Sequence, residues 1–216
     1  MSFLDSGGVR VKICGITNPA DVRMCLSAGA DAVGFNFFPG SARYIAPEES
    51  IPWIRDLGDG AARVAVVVNA SPDLLKKIRD AGCFDFIQFH GDETPEICGQ
   101  AGFPHWIKAL RVSGPEVVEG SLSFATPNIL FDGWTPKAYG GTGQRLDWDV
   151  VRDFVAAHPD RRYLLAGGLN VQNVRQAIRI VRPHAVDVAS GVELNLRKKD
   201  EYLVRQFILE AKQHRG

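Results

Sequence analysis

From residue 9 to its end the chain alternates short apolar runs with longer amphipathic stretches. The short runs are bounded by Gly, Pro, Asn or Asp and are rich in Val, Ile and Phe, which is the pattern of strands buried on both faces. They fall at 10–14, 32–37, 63–68, 86–89, 106–109, 129–131, 163–166 and 185–188. Between them apolar residues recur three and four apart, which predicts helices over 19–28, 47–57, 72–81, 94–100, 114–120, 148–158 and 171–181, with a last helix over 200–214. The helix boundaries carry their own chemistry. Asn18-Pro19 and Ser71-Pro72 put a capping side chain before a proline whose missing N–H costs nothing at the first helical position. Ala28-Gly29 and Ala81-Gly82 put glycine just past a last turn.

Eight strands alternating with eight helices predict an α/β fold, a single (β/α)8 TIM barrel with eight parallel strands. An echo between 28–35 and 81–89, each a helix end feeding a strand, supports that count. An open doubly wound sheet would carry a Gly-rich dinucleotide turn after its first strand. Cys14-Gly15-Ile16-Thr17 stands there instead. Residues 9–216 are expected to form the barrel domain and residues 1–8 a flexible tail.

Composition narrows the function classes. The 216 residues hold 25 basic and 25 acidic side chains, a balance unlike the basic footprint of a nucleic-acid or anionic-membrane binder. No apolar run is long enough to span a bilayer, and residues 1–8 lack the basic and apolar regions of a secretory signal. The four cysteines, at 14, 25, 83 and 98, form no C-x-x-C pair and suit a reducing, cytoplasmic setting.

In such barrels chemistry is done at the C-terminal ends of the strands. Cys14 ends the first strand, so its thiol is expected at that mouth. Asp132 ends the sixth strand and faces the same mouth, where an aspartate serves as a general acid or caps a turn. Gly167-Gly168-Leu169-Asn170, leading into a helix at Val171, and Ser190-Gly191-Val192 follow the seventh and eighth strands. Paired glycine turns at this position commonly hold a phosphate on backbone N–H groups. Gly141 lies in the longest loop, 132–145, and is placed with the phosphate contacts. Arg43, after the second strand, offers a planar fork for a carboxylate or phosphate. Alternation puts Gln88 and His90 on the interior side of the fourth strand, with no neighbour at metal-ligand spacing, so no metal is expected. It also turns Lys12 inward beside Cys14. Asp187, on the strand that closes against the first, is the expected partner for that cation, which should favour the thiolate.

With Lys12-Ile13-Cys14-Gly15-Ile16-Thr17, Arg43-Tyr44-Ile45, Gln88-Phe89-His90-Gly91, Lys137 to Gly143, Leu165 to Asn170 and Ser190-Gly191-Val192-Glu193 in this order, the chain resembles the phosphoribosylanthranilate isomerases from about Val9 onward. The resemblance implies an aldose–ketose isomerase of tryptophan biosynthesis that performs an Amadori rearrangement on a small phosphosugar without a cofactor. It implies Cys14 as general base, Asp132 as general acid and Arg43 on the anthranilate carboxylate. A monomer or a homodimer is expected. Two places depart from the family pattern: Asn195-Leu196-Arg197 stands where Ser-Pro-Gly is frequent, and Ala189 where serine is common. The histidine-pathway sister isomerase would be expected to carry aspartate at position 14. A phosphosugar-binding barrel without activity would have no need of Cys14 and Asp132 together.

Overall fold

Two apolar sets alternate along the strands, and they build two separate cores. The structure is a computed structural model that describes residues 3–5, 7–58, 60–133 and 148–213. Eight strands, β1 (Arg10–Cys14), β2 (Ala32–Asn36), β3 (Ala62–Val67), β4 (Phe86–Phe89), β5 (Trp106–Val112), β6 (Asn128–Gly133), β7 (Arg162–Leu165) and β8 (Ala185–Val188), pair parallel in chain order. β8 returns to β1 with Lys12 opposite Asp187, which closes the barrel. Ala32, Val64, Val66, Phe86, Ile107, Ala109, Leu130 and Leu164 fill the interior. Val33, Phe35, Ile87, Phe89, Phe131 and Tyr163 point outward against the helices.

The helices are α1 (Pro19–Ser27), α2 (Pro47–Arg55), α3 (Pro72–Ala81), α4 (Pro95–Gln100), α5 (Pro115–Gly120), α6 (Trp148–Ala157), α7 (Val174–Val181) and α8 (Glu201–Lys212). Asn18, Ser71, Thr94 and Asp200 cap their helices by accepting from N–H groups in the first turn. α7 starts at Val174 rather than at Val171. Asn170 Oδ1 accepts from the N–H groups of Gln172 and Asn173, and Asn173 Oδ1 accepts from the N–H of Asn170. These side chains turn the backbone three residues longer before it coils.

β5 and β6 outrun their predicted ends. Their ladder continues through Arg111↔Asp132 to Val112↔Gly133. Polar side chains at the mouth interrupt the apolar pattern, but backbone pairing is indifferent to them. A short hairpin, β9 (Glu193–Asn195) and β10 (Lys198–Lys199), was not expected. The 195–197 departure forms its tip, with Arg197 at φ +72°.

The expected loose tail is corrected at its described residues. Leu4 is 2% exposed and belongs to the interior cluster, while Phe3 packs edge-on against Phe86. An apolar side chain seals the barrel floor because the N-terminal ends of the strands would otherwise leave it open. Leu4→Ala should therefore cost about 2 kcal/mol and lower Tm by roughly 4–8 °C in a thermal scan. An unchanged Tm would mean the segment docks at no gain.

Candidate active site

The inward side chains of β1 end in Lys12 and then Cys14. Gly34 on neighbouring β2 leaves room for both: a Cβ there would sit 2.8 Å from the Cys14 sulfur and 3.1 Å from Lys12 Nζ. Lys12 is fully buried and donates to Asp187 Oδ1 at 2.8 Å, the pairing expected from barrel closure. Burial opposes its charge, but Asp187 and Cys14 outweigh burial and hold the ammonium above its ordinary pKa.

The expected gain in thiolate is only part of the balance. Burial pushes the Cys14 thiol up, Lys12 draws it back through charge and a hydrogen bond, Asp187 pushes it up again, and the net direction is upward. As a residue Cys14 is half-buried, whereas Cys25, Cys83 and Cys98 are buried. Burial pushes Cys25 and Cys98 up to about 12. Lys12→Met removes the cation and leaves burial and Asp187 unopposed. The pH midpoint for alkylation of Cys14 by iodoacetamide should then move higher. An unmoved midpoint would make Lys12 a purely structural residue.

Across the mouth, β6 turns Asp132 inward two residues beyond Leu130. Its Oδ1 accepts from the N–H of Gly133 at 2.8 Å. Its Oδ2 lies 3.2 Å from His90 Nε2, close but not aligned for a hydrogen bond. Nδ1 of His90 is 2.8 Å from the amide nitrogen of the fully buried Gln88. Thus Gln88 and His90 do face the interior, and His90 meets a carboxylate that sequence spacing could not reveal. Among the described residues no three His, Cys, Asp or Glu side chains gather as metal ligands.

The two glycine turns after β7 and β8 touch. Gly167 and Gly168 have φ +83° and +69°, and a side chain at 167 would collide with the backbone of Gly133. A side chain at Gly191 would collide with the carbonyl of Leu169. Glycine is required at 167 and 191 because backbone meets backbone there. The second turn, Ser190–Val192, is a short 3₁₀ turn, and the first is separated from α7 by the asparagine-built turn. Gly141 lies outside the described residues.

Arg43 stands at the rim, and its fork is engaged. Nε and Nη2 donate to Glu193 at 2.7 Å each. Glu193 also accepts from Lys199 at 3.0 Å. Neither residue was singled out as a site residue from the sequence, and no local pattern points from 43 to 193.

The family model for N-(5'phosphoribosyl)anthranilate (PRA) isomerase matches residues 11–210. The chain belongs to the PRA isomerase family. The PRA isomerase of Geobacter sp. (strain M21) is 44% identical over 203 residues, covering 94% of this chain and 98% of its own. The crystal structure of the Thermotoga maritima PRA isomerase superposes with TM-score 0.84 at 40% identity, over 95% of this chain and 99% of that one. A PRA isomerase crystallised with reduced 1-(o-carboxyphenylamino)-1-deoxyribulose 5-phosphate superposes with TM-score 0.81 at 38% identity, over the same shares. No described helix is long and apolar enough to cross a membrane.

Proposed function

We propose that this chain converts N-(5-phosphoribosyl)anthranilate to 1-(2-carboxyphenylamino)-1-deoxyribulose 5-phosphate in tryptophan biosynthesis, with Asp132 as general acid and Cys14 as general base. The observation that carries this reading is the pair itself. The barrel turns a thiol at the end of β1 and a carboxyl at the end of β6 into one mouth, beside two touching glycine turns.

The chemistry follows from those groups. Protonated Asp132 gives its proton to the furanose ring oxygen as the bond to C1′ breaks, and the anthranilate nitrogen supplies the electrons that form the iminium. The iminium acidifies C2′. The Cys14 thiolate takes that proton, and the C–H electrons become the C1′–C2′ double bond of an enolamine. One proton then leaves the enol oxygen and one enters C1′. This gives the ketone and returns the enzyme to its starting proton count. The redox change is internal to the sugar, so the rearrangement needs no electron carrier. Gly167, Gly168, Ser190 and Gly191, with Gly141, would hold the phosphate on backbone N–H groups. Arg43 would hold the anthranilate carboxylate. Anchoring both ends restricts the open-chain sugar to a reactive pose.

The direct test is loss of substrate fluorescence when the purified chain meets N-(5-phosphoribosyl)anthranilate. A rate no greater than that without enzyme would refute the assignment. Arg43→Ala should raise KM more than it lowers kcat, and a substrate analogue lacking the carboxylate should be insensitive to the change. Equal losses with both ligands would show that Arg43 binds something else.

A further inference from the structure

Arg43 is held along its stem and along one edge of its guanidinium by its own chain. Its aliphatic stem lies over Gly15, where any side chain would strike it and where φ is +72°. Its Nε and Nη2 edge is taken by both oxygens of Glu193. Glu193 is held in turn by Lys199, whose Nζ also donates to the carbonyl of Ala189 at 2.9 Å. Glu193 and Lys199 are register partners across the β9–β10 hairpin. That hairpin is strapped to the neighbouring loops. Arg197 Nη1 donates to the carbonyls of Ala42 and Tyr44, the residues flanking Arg43, and Thr17 Oγ1 donates to the carbonyl of Arg197. The N–H of Lys199 donates to Asp21 Oδ2 at 2.9 Å.

The three charged side chains are nearly buried, with 11%, 6% and 0% of Arg43, Glu193 and Lys199 exposed. Two cations share one carboxylate, so the trio keeps a single positive charge that an anionic ligand group would neutralise. Burying such charges is costly unless they are paired and hydrogen-bonded, as Glu193 is here by both cations. An unrestrained arginine would lose rotamer entropy on binding, and here that ordering is already done. With Nε and Nη2 occupied, Nη1 is the guanidinium nitrogen bonded to no described residue.

We propose that Glu193 and Lys199 are positioning residues: the hairpin delivers them to lock the Arg43 guanidinium, leaving Nη1 as its directed donor to one substrate carboxylate. This rests on the assignment of Arg43 to the anthranilate carboxylate. It gives the sequence departure at 195–197 a place, as the tip of the strap rather than part of the phosphate turn.

The test is a double-mutant cycle on the whole chain, with N-(5-phosphoribosyl)anthranilate as ligand and a thermal melt of each variant. Glu193→Gln should raise KM about tenfold while kcat falls less than about threefold, since a charge-assisted contact is misaligned and the proton-transfer groups are untouched. On an Arg43→Ala background the same change should raise KM no further. Lys199→Met should give a smaller rise of the same kind, and it carries the test if Glu193→Gln does not fold. Equal rises with and without Arg43, or losses confined to kcat or to Tm, would overturn the positioning role. So would a KM raised by Arg43→Ala but unmoved by both Glu193→Gln and Lys199→Met. An Arg43→Ala variant with unchanged KM would remove the carboxylate assignment as well.

Discussion

Cys14→Ala should lower kcat by about 10²–10⁴-fold, the span of a lost general base, while KM stays within about threefold. The thiol sits at the mouth of β1 beside Lys12, half-buried rather than locked in the outer core. Removing its sulfur therefore leaves the barrel intact, and the variant should melt close to the wild type. The proposed base acts only once the iminium has formed, so little ground-state contact is lost with it. Cys14→Ser should be nearly as poor, because a hydroxyl is a far weaker source of base than a thiol. Burial holds the thiol upward, so the thiolate is the minor form near neutrality and the limb reporting it should rise with pH toward the alkaline side. A Cys14→Ala enzyme with wild-type kcat would make the residue a packing group and the mechanism wrong.

Asp132→Asn should be crippled to a comparable degree, about 10²–10⁴-fold in kcat. The substitution is nearly isosteric, and its amide oxygen can still accept the Gly133 N–H that Oδ1 accepts. What it cannot do is release a proton to the ring oxygen. The pH profile of kcat should lose the limb on which activity falls as the acid deprotonates. A retained limb would move the acid role to another group, and His90, 3.2 Å away, would be the first to examine.

Much of this protein was legible along the chain because the forces that set it are local. The period of two in β1 and β4 placed Lys12, Cys14, Gln88 and His90 inward, since a pleated strand sends alternate side chains to opposite faces. Asn18, Ser71 and their prolines marked helix starts because capping acts within three residues. Barrel closure made Asp187 the neighbour of Lys12, so even a pair 175 residues apart could be reasoned from topology. Tertiary structure alone decided the rest. Nothing near Arg43 announces Glu193, 150 residues away, because a hairpin with only two register pairs has too little pattern to read and its partners lie on other loops. Nothing near Asp132 announces His90, since the two meet only across the mouth. Leu4 looks like tail until the open floor of the barrel exists to receive it. Secondary structure follows from neighbours in sequence, whereas the charged groups at this mouth find one another only after closure removes the water that would otherwise solvate each of them alone.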